Sequence, residues 1–192
     1  MEYKHLANEY KALANKEEII DKQGEGEEIE RKWLVSRDKI PYDLEKEADK
    51  YELTQTYLNF SPEVRVRNIS DKRYIMAIKT GLTEESGLKR SEAQYDITKE
   101  EYEQLLTKKE GNTIHKTRYQ IKIDGVTWAF DYFHGQLDGL TYMEIEFPSE
   151  DAANAFEAPD WVGKDVTNDK KYKNQSLAQF GIPASFEQDS KE

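Results

Sequence analysis

A chain of 192 residues is long enough to bury one sizeable core, and although 35% of it is charged, an aromatic fraction of 11% argues against disorder. The net charge of -11 disfavours general binding to nucleic acid or to an anionic membrane surface, whose phosphates that field repels. Cysteine is absent, which excludes disulfides and thiolate metal sites, and no apolar run approaches the roughly 20 residues of a membrane span. The expectation is a soluble cytoplasmic protein, a monomer or homodimer, that acts on a small molecule.

Residues 1–26 read as an N-terminal extension, helical or flexible. Leu6, Tyr10, Leu13, Ile19 and Ile20 form a helical stripe, Gly24 and Gly26 break it, and its charge is too high for a signal peptide. The first strand, Glu27 to Ser36, contains Glu28-Ile29-Glu30-Arg31-Lys32. A period of two puts Glu28, Glu30 and Lys32 on one face and Ile29 and Arg31 on the other, with Trp33 and Val35 switching the pattern just past the motif. After a polar connection from Asp38 to Lys50 comes a meander, Glu52 to Phe60, Glu63 to Ile69 and Arg73 to Thr80, turning at Ser61-Pro62 and Ser70-Asp71. Leu88 to Ile97 carries Arg90, Glu92, Gln94 and Asp96 on one face, and Thr98-Lys99-Glu100-Glu101 has the spacing of a helix capping box.

Thr113 to Ile123 sets Lys116, Arg118, Gln120 and Lys122 against Tyr119, Ile121 and Ile123. Asp124-Gly125 is the strongest hairpin signal in the chain, and it pairs that strand with Val126 to Phe133, which carries Asp131. Tyr142 to Phe147 places Glu144 and Glu146 together. Helices are expected from Pro148-Ser149-Glu150 through Phe156 and from Asp169 to Phe180, and residues 184–192 read as a flexible tail.

Alternating Glu and Lys on a single strand usually marks a solvated face. Here the pattern recurs on most strands, and the helices need an apolar face to pack on, so the charged faces are expected to converge. The fold class that follows is mainly β (α+β), a closed antiparallel eight-stranded β-barrel over residues 27–183 with a charged interior and helices outside. Carboxylates without His or Cys suit Mg²⁺ or Mn²⁺, and fixed Arg and Lys suit phosphate. A metal-complexed polyphosphate fits both requirements. Hydrolysis of such a guest needs positioning and charge neutralisation more than covalent chemistry, and no Walker-type phosphate loop is present.

Glu28-Ile29-Glu30-Arg31-Lys32 is similar to the ExExK signature of the CYTH superfamily, the triphosphate tunnel metalloenzymes. The resemblance extends in order through Val64-Arg65-Val66-Arg67, Ile78-Lys79-Thr80, Arg90-Ser91-Glu92, Lys116-Thr117-Arg118, Asp131, Glu144-Ile145-Glu146, Trp161 to Thr167 and Tyr172-Lys173-Asn174. It implies a tunnel in which Glu28, Glu30, Glu144, Glu146 and Asp131 hold divalent metal and Lys32, Arg65, Arg67, Lys79, Arg90, Lys116 and Arg118 hold the triphosphate. Glu28, Glu30, Lys32 and Glu92 are the implied catalytic set. Tyr57 is expected near the mouth, and Lys164 or Lys171 near a plugging C-terminal segment. Many relatives carry a second acid where this chain has Gln94, which weakens the case for a second metal. The small bacterial tripolyphosphatases are the most similar branch, implying hydrolysis of inorganic triphosphate to pyrophosphate and phosphate. A nucleoside or thiamine triphosphatase, an adenylyl cyclase or a non-catalytic polyphosphate-binding module are the alternatives.

Overall fold

The computed structural model describes residues 24–80 and 89–190, with side chains described for 29–79 and 93–190. The helical stripe of the N-terminal extension and the acidic loop from Gly81 to Gly87 lie outside the described residues. Eight strands form one antiparallel sheet: β1 Gly24–Leu34, β2 Asp49–Phe60, β3 Glu63–Ile69, β4 Arg73–Thr80, β5 Lys89–Ile97, β6 Glu110–Ile123, β7 Val126–Phe133 and β8 Thr141–Glu146. Their order is β1-β5-β4-β3-β2-β6-β7-β8, and β8 pairs back onto β1. The hairpin turns at Ser61-Pro62, Ser70-Asp71 and Asp124-Gly125 fall where the sequence puts them. Ser70 and Asp71 (φ 53 and 55) turn β3 into β4, and Asp124 and Gly125 (φ 52 and 85) turn β6 into β7, both with two left-handed residues as a type I′ hairpin requires. Strands β2 and β6 begin at Asp49 and Glu110, ahead of the expected Glu52 and Thr113, because each supplies the other's partner there: Asp49 faces Gln120 and Glu110 faces Tyr57.

Strand β1 changes neighbours midway. Gly24 to Ile29 pair with β5, whereas Glu30 to Leu34 pair with β8. On the side that β5 leaves, residues 163–167 take over: Gly163 N–H donates to Leu34 O (3.0 Å), Leu34 N–H to Lys164 O (2.9 Å) and Val166 N–H to Lys32 O (2.9 Å). Thr167 Oγ1 accepts from Lys32 N–H at 2.9 Å. A Cβ on Gly163 would lie 2.8 Å from Leu34 O, so glycine permits this approach. Trp33 keeps the parity of Arg31, whose guanidinium lies 4.7 Å from its ring, so the expected switch of pattern after the motif does not occur. Leu34 instead carries an apolar side chain to the charged face.

The outward faces bury the helices. Helix α1 (Leu44–Glu47) lies within the stretch read as a polar connection. Helix α2 (Lys99–Leu105) starts from the expected capping box, with Thr98 Oγ1 accepting from Glu101 N–H at 3.1 Å and the Glu101 carboxylate accepting from Thr98 N–H at 2.7 Å. Its Tyr102 packs on Val66 and Tyr74. Helix α3 (Glu150–Ala155), capped by Ser149, closes with Phe156 over a core of Trp33, Trp128, Phe130, Met143 and Ile145. The single helix expected from Asp169 to Phe180 is two pieces, a 3-10 turn Lys170–Tyr172 and α4 (Asn174–Phe180), because Lys173 is extended (φ -69, ψ 140). Nor are residues 184–190 a loose end. Helix α5 (Phe186–Asp189) buries Asp189, which accepts from Tyr172 Oη (2.6 Å), Ser185 Oγ (2.7 Å) and Lys164 Nζ (2.9 Å).

Candidate active site

The charged face is floored at one end by apolar side chains. Leu34, Ile114, Phe133 and Tyr142 share the parity of the charged residues on their strands, Tyr57 of β2 joins them, and Leu177 and Ala178 of α4 complete the cluster. Tyr142 Oη donates to Tyr172 O (2.9 Å), tying this floor to the C-terminal segment. Tyr57, expected near the mouth, is buried in the floor at 1% exposure. The reason is the register: Tyr57 faces Arg65 across β2 and β3, four residues on from the pair Leu53 and Ile69. Leu53, Ile69 and Ile75 make a second apolar cluster of the same parity. The inner face is therefore a charged belt between apolar groups, and not charged throughout.

Above the floor, Lys32 and Lys116 lie over the rings of Tyr142 and Phe133, 5.1 and 5.4 Å from the centroids. Antiparallel register does the assembly: Lys32 faces Glu144 and Glu30 faces Glu146 across β1 and β8, and Arg118 faces Asp131 across β6 and β7. Lys32 Nζ is 2.9 Å from Glu144 Oε1 and 3.8 Å from Glu30 Oε1. Fully buried Asp131 accepts both Nε and Nη2 of Arg118 at 2.6 Å and is also bonded by Lys116, while Arg118 reaches on to Glu144. Both oxygens of Asp131 are thus engaged by cations.

These groups set one another's charge. Burial alone would lower the pKa of Lys32, but the carboxylates of Glu144 and Glu30 outweigh it and hold the ammonium well above its ordinary value. Burial would likewise raise that of Glu144, and Lys32, Arg118 and Lys116 overcome it, keeping the carboxyl far below its ordinary range. Lys116 behaves differently. Desolvation, reinforced by Arg118, prevails over Asp131 and brings its pKa down to about 8.

The opposite wall is cationic. On β3, Arg65 is buried with Glu63, a carboxylate absent from the expected site, at 3.7 Å. Glu63 faces Lys79 on β4, and Lys79 faces Glu92 on β5. Arg67 Nη2 donates to Gln55 Oε1 at 3.2 Å. Gln94 is buried opposite Ala77, and among the described residues its Oε1 meets no hydrogen-bond donor. The backbone of Glu28 faces Arg90, but the side chains of Glu28, Arg90 and Glu92 lie outside the described residues. Two expected members of the charged face stand away from it: Lys122 is exposed beside the β6–β7 turn, and Asp96 pairs with Arg73 at 2.8 Å in an exposed bridge. Lys164 and Lys171 do belong to the C-terminal segment, bonded to Asp189 and Ser185.

Arg31, the outward residue of the motif, is the clamp that sequence reading missed. Its Nη1 donates to the carbonyls of Ala153 and Phe156 (both 2.9 Å), and Nε and Nη2 reach Asp165 Oδ2 at 3.2 and 2.6 Å. It fastens the end of α3 and the 163–167 segment to β1. Its signal was only a cation at an apolar-face position.

An all-oxygen donor set suits a hard divalent ion. Glu30 and Glu146 stand directly opposite, so their Cβ atoms are about 5 Å apart. Among the described residues no three acidic or imidazole side chains are close enough to enclose a metal by themselves. The donors fit an ion that keeps water and shares its ligands with a substrate, as Mg²⁺ does.

Among the described residues no helix is long and apolar enough to cross a membrane. The chain is 41% identical over 160 residues to an inorganic triphosphatase of Nitrosomonas europaea, covering 81% of this chain and 99% of that protein. It is 36% identical over 153 residues to an inorganic triphosphatase of Acetivibrio thermocellus, covering 79% and 93%. The crystal structure of the inorganic triphosphatase NE1496 superposes with a TM-score of 0.58 at 38% identity, over 79% of this chain and 93% of that one. The CYTH domain model matches residues 26–178, and with that match and these relatives the chain belongs to the CYTH family.

Proposed function

We propose that the protein hydrolyses inorganic triphosphate to pyrophosphate and phosphate, in a metal-dependent reaction inside a closed, tunnel-like barrel. The observation that carries this reading is the opposition of two walls on one face, carboxylates on β1 and β8 and cations on β3, β4 and β6. Two relatives that bear the name inorganic triphosphatase support it.

In this reading Lys32, Arg65, Arg67, Lys79, Arg90, Lys116 and Arg118 hold the phosphate chain and neutralise the charge that gathers on departing pyrophosphate. Glu28, Glu30, Glu144 and Glu146 form the metal wall. Asp131 anchors Lys116 and Arg118, since both its oxygens already accept from them. A bound Mg²⁺ or Mn²⁺ supplies Lewis-acid polarisation of phosphate and water. The attacking water forms a bond to the terminal phosphorus as the bridging P–O bond breaks, and its proton passes to a carboxylate of the acidic wall or to Glu92, the further acid of the catalytic set. We place the enzyme in the cytoplasm as a monomer or homodimer, acting without nucleic acid or membrane. The test is release of phosphate and pyrophosphate from tripolyphosphate, ATP and thiamine triphosphate in parallel, with Mg²⁺, with Mn²⁺ and with chelator. A metal-dependent preference for tripolyphosphate is expected; preference for ATP, or equal rates in chelator, would overturn it.

A further inference from the structure

Asp189 lies beyond residues 26–178, the span that the CYTH domain matches, yet it is only 6% exposed. One of its carboxylate oxygens accepts from Tyr172 Oη at 2.6 Å and Ser185 Oγ at 2.7 Å, and the other accepts from Lys164 Nζ at 2.9 Å. An ionised carboxylate only accepts, so it suits three donors from three places in the chain. Those donors, Tyr172 first and then Lys164 and Ser185, hold its carboxyl below the usual range and keep it charged. Ile182 and Phe186 pack against the apolar floor of the charged face, so apolar contact seats the same segment.

Both distant partners of Asp189 lead to Lys32, by separate routes. The carbonyl of Tyr172 accepts from Tyr142 Oη at 2.9 Å, and the Tyr142 ring lies beneath Lys32 Nζ, 5.1 Å from its centroid. The carbonyl of Lys164 accepts from Leu34 N–H at 2.9 Å, and in the same segment Val166 N–H donates to Lys32 O and Thr167 Oγ1 accepts from Lys32 N–H, both at 2.9 Å. The first route supports the ammonium and the second supports the backbone that carries it. That ammonium pairs with Glu144 at 2.9 Å and Glu30 at 3.8 Å, so a displacement of Lys32 is a displacement within the acidic wall.

We propose that Asp189 is a positioning residue for Lys32, and that residues 184–190 are a strap that ties the floor and the 163–167 segment together around it. The inference rests on the triphosphatase reading for what Lys32 acts on, but the tie itself can be tested without turnover.

The direct test is amide hydrogen exchange of the full chain in chelator, without substrate. In Asp189→Ala the amides of Lys32 and Leu34, which donate to Thr167 Oγ1 and Lys164 O, should exchange about tenfold faster or more, while β3 and β4 keep wild-type rates. Tyr172→Phe removes only the hydroxyl and is the milder variant should Asp189→Ala fold poorly. It should give a smaller rise at the same amides, and the two changes together should be no worse than Asp189→Ala alone. With tripolyphosphate and Mg²⁺, kcat should fall about tenfold while KM stays within about twofold, because the other cations still hold the phosphate chain and only the placement of Lys32 has changed. Faster exchange confined to residues 182–190, an equal rise over the whole sheet, full additivity of the two substitutions, or unchanged kcat in both folded variants of an active enzyme would overturn the inference. A wild type that hydrolyses no tripolyphosphate would defeat the triphosphatase reading, and faster exchange at Lys32 and Leu34 in the variants would still uphold the strap.

Discussion

Lys32 and Glu144 meet at 2.9 Å across β1 and β8, and each is held in its charged form by the other despite burial. Removing one charge leaves the other buried and uncompensated, which typically costs about 3–5 kcal/mol. Glu144→Gln should therefore lower stability to urea by about 3 kcal/mol, less than a full deletion because the amide oxygen still accepts from Lys32. Replacing both, as Lys32→Met with Glu144→Leu, should recover much of that stability while abolishing turnover. A double variant no more stable than the single one would mean that the pair is not an energetic unit.

Arg31 binds three acceptors on two elements, so lysine cannot replace it. Because the Asp165 bridge is partly solvated, the larger share of its effect comes from the two helix-end carbonyls. Arg31→Ala and Arg31→Lys should each destabilise by about 2 kcal/mol. Hydrogen exchange should rise first in residues 163–167, whose backbone pairs with β1, and Gly163→Ala should give the same regional pattern by steric contact with Leu34. Uniform exchange changes over the whole sheet would count against a local clamp.

The sequence showed the sheet because alternation survives wherever one face is charged. Seven of the motifs that resemble the family lie on strands, whose register then brings Glu30 opposite Glu146 and Arg118 opposite Asp131. What stayed hidden depended on contacts between segments distant in the sequence. Residues 163–167 carry no alternation, and their pairing exists only because β5 leaves β1 after Ile29. Phe133 reads as an ordinary strand aromatic, and Tyr57 as a residue of the mouth, until α4 packs on them as a floor. Gln55 is neutral, so a search for charges passes over it. Asp189 gave no local signal either; three partners from Lys164 to Ser185 turn an apparent tail into a docked helix.

Lys116 provides the pH dependence. Its pKa of about 8 in the folded protein against an ordinary 10.5 means that the unfolded chain binds the extra proton between those limits. Stability from this group therefore rises with pH across that window. Anion binding runs the other way, because the ammonium that would face phosphate is lost as pH rises through about 8. KM for tripolyphosphate should climb above that pH in the wild type and stay flatter in Lys116→Arg, which cannot deprotonate there. Calorimetry at pH 9 should show proton uptake on binding, as a dependence of the heat on buffer ionisation. A wild-type KM that is level from pH 7 to 10, with no buffer dependence, would remove Lys116 from the binding site.

Glu30 and Glu146 bring two carboxylates directly opposite one another, an arrangement that favours a cation. Glu30→Gln and Glu146→Gln should each reduce turnover by at least about 100-fold while the protein stays folded in chelator. The second readout is the metal itself. Wild type should melt higher as Mg²⁺ or Mn²⁺ is raised, following the ratio of ion concentration to its dissociation constant, and both variants should lose most of that rise. Glu52→Gln is the control: its carboxylate accepts from Thr117 on the outer face, so it should keep both activity and the metal-induced rise. If Glu30→Gln and Glu146→Gln retained the full metal-induced rise, the ion would have to lie elsewhere, and the acidic wall would serve only to balance the cations around it.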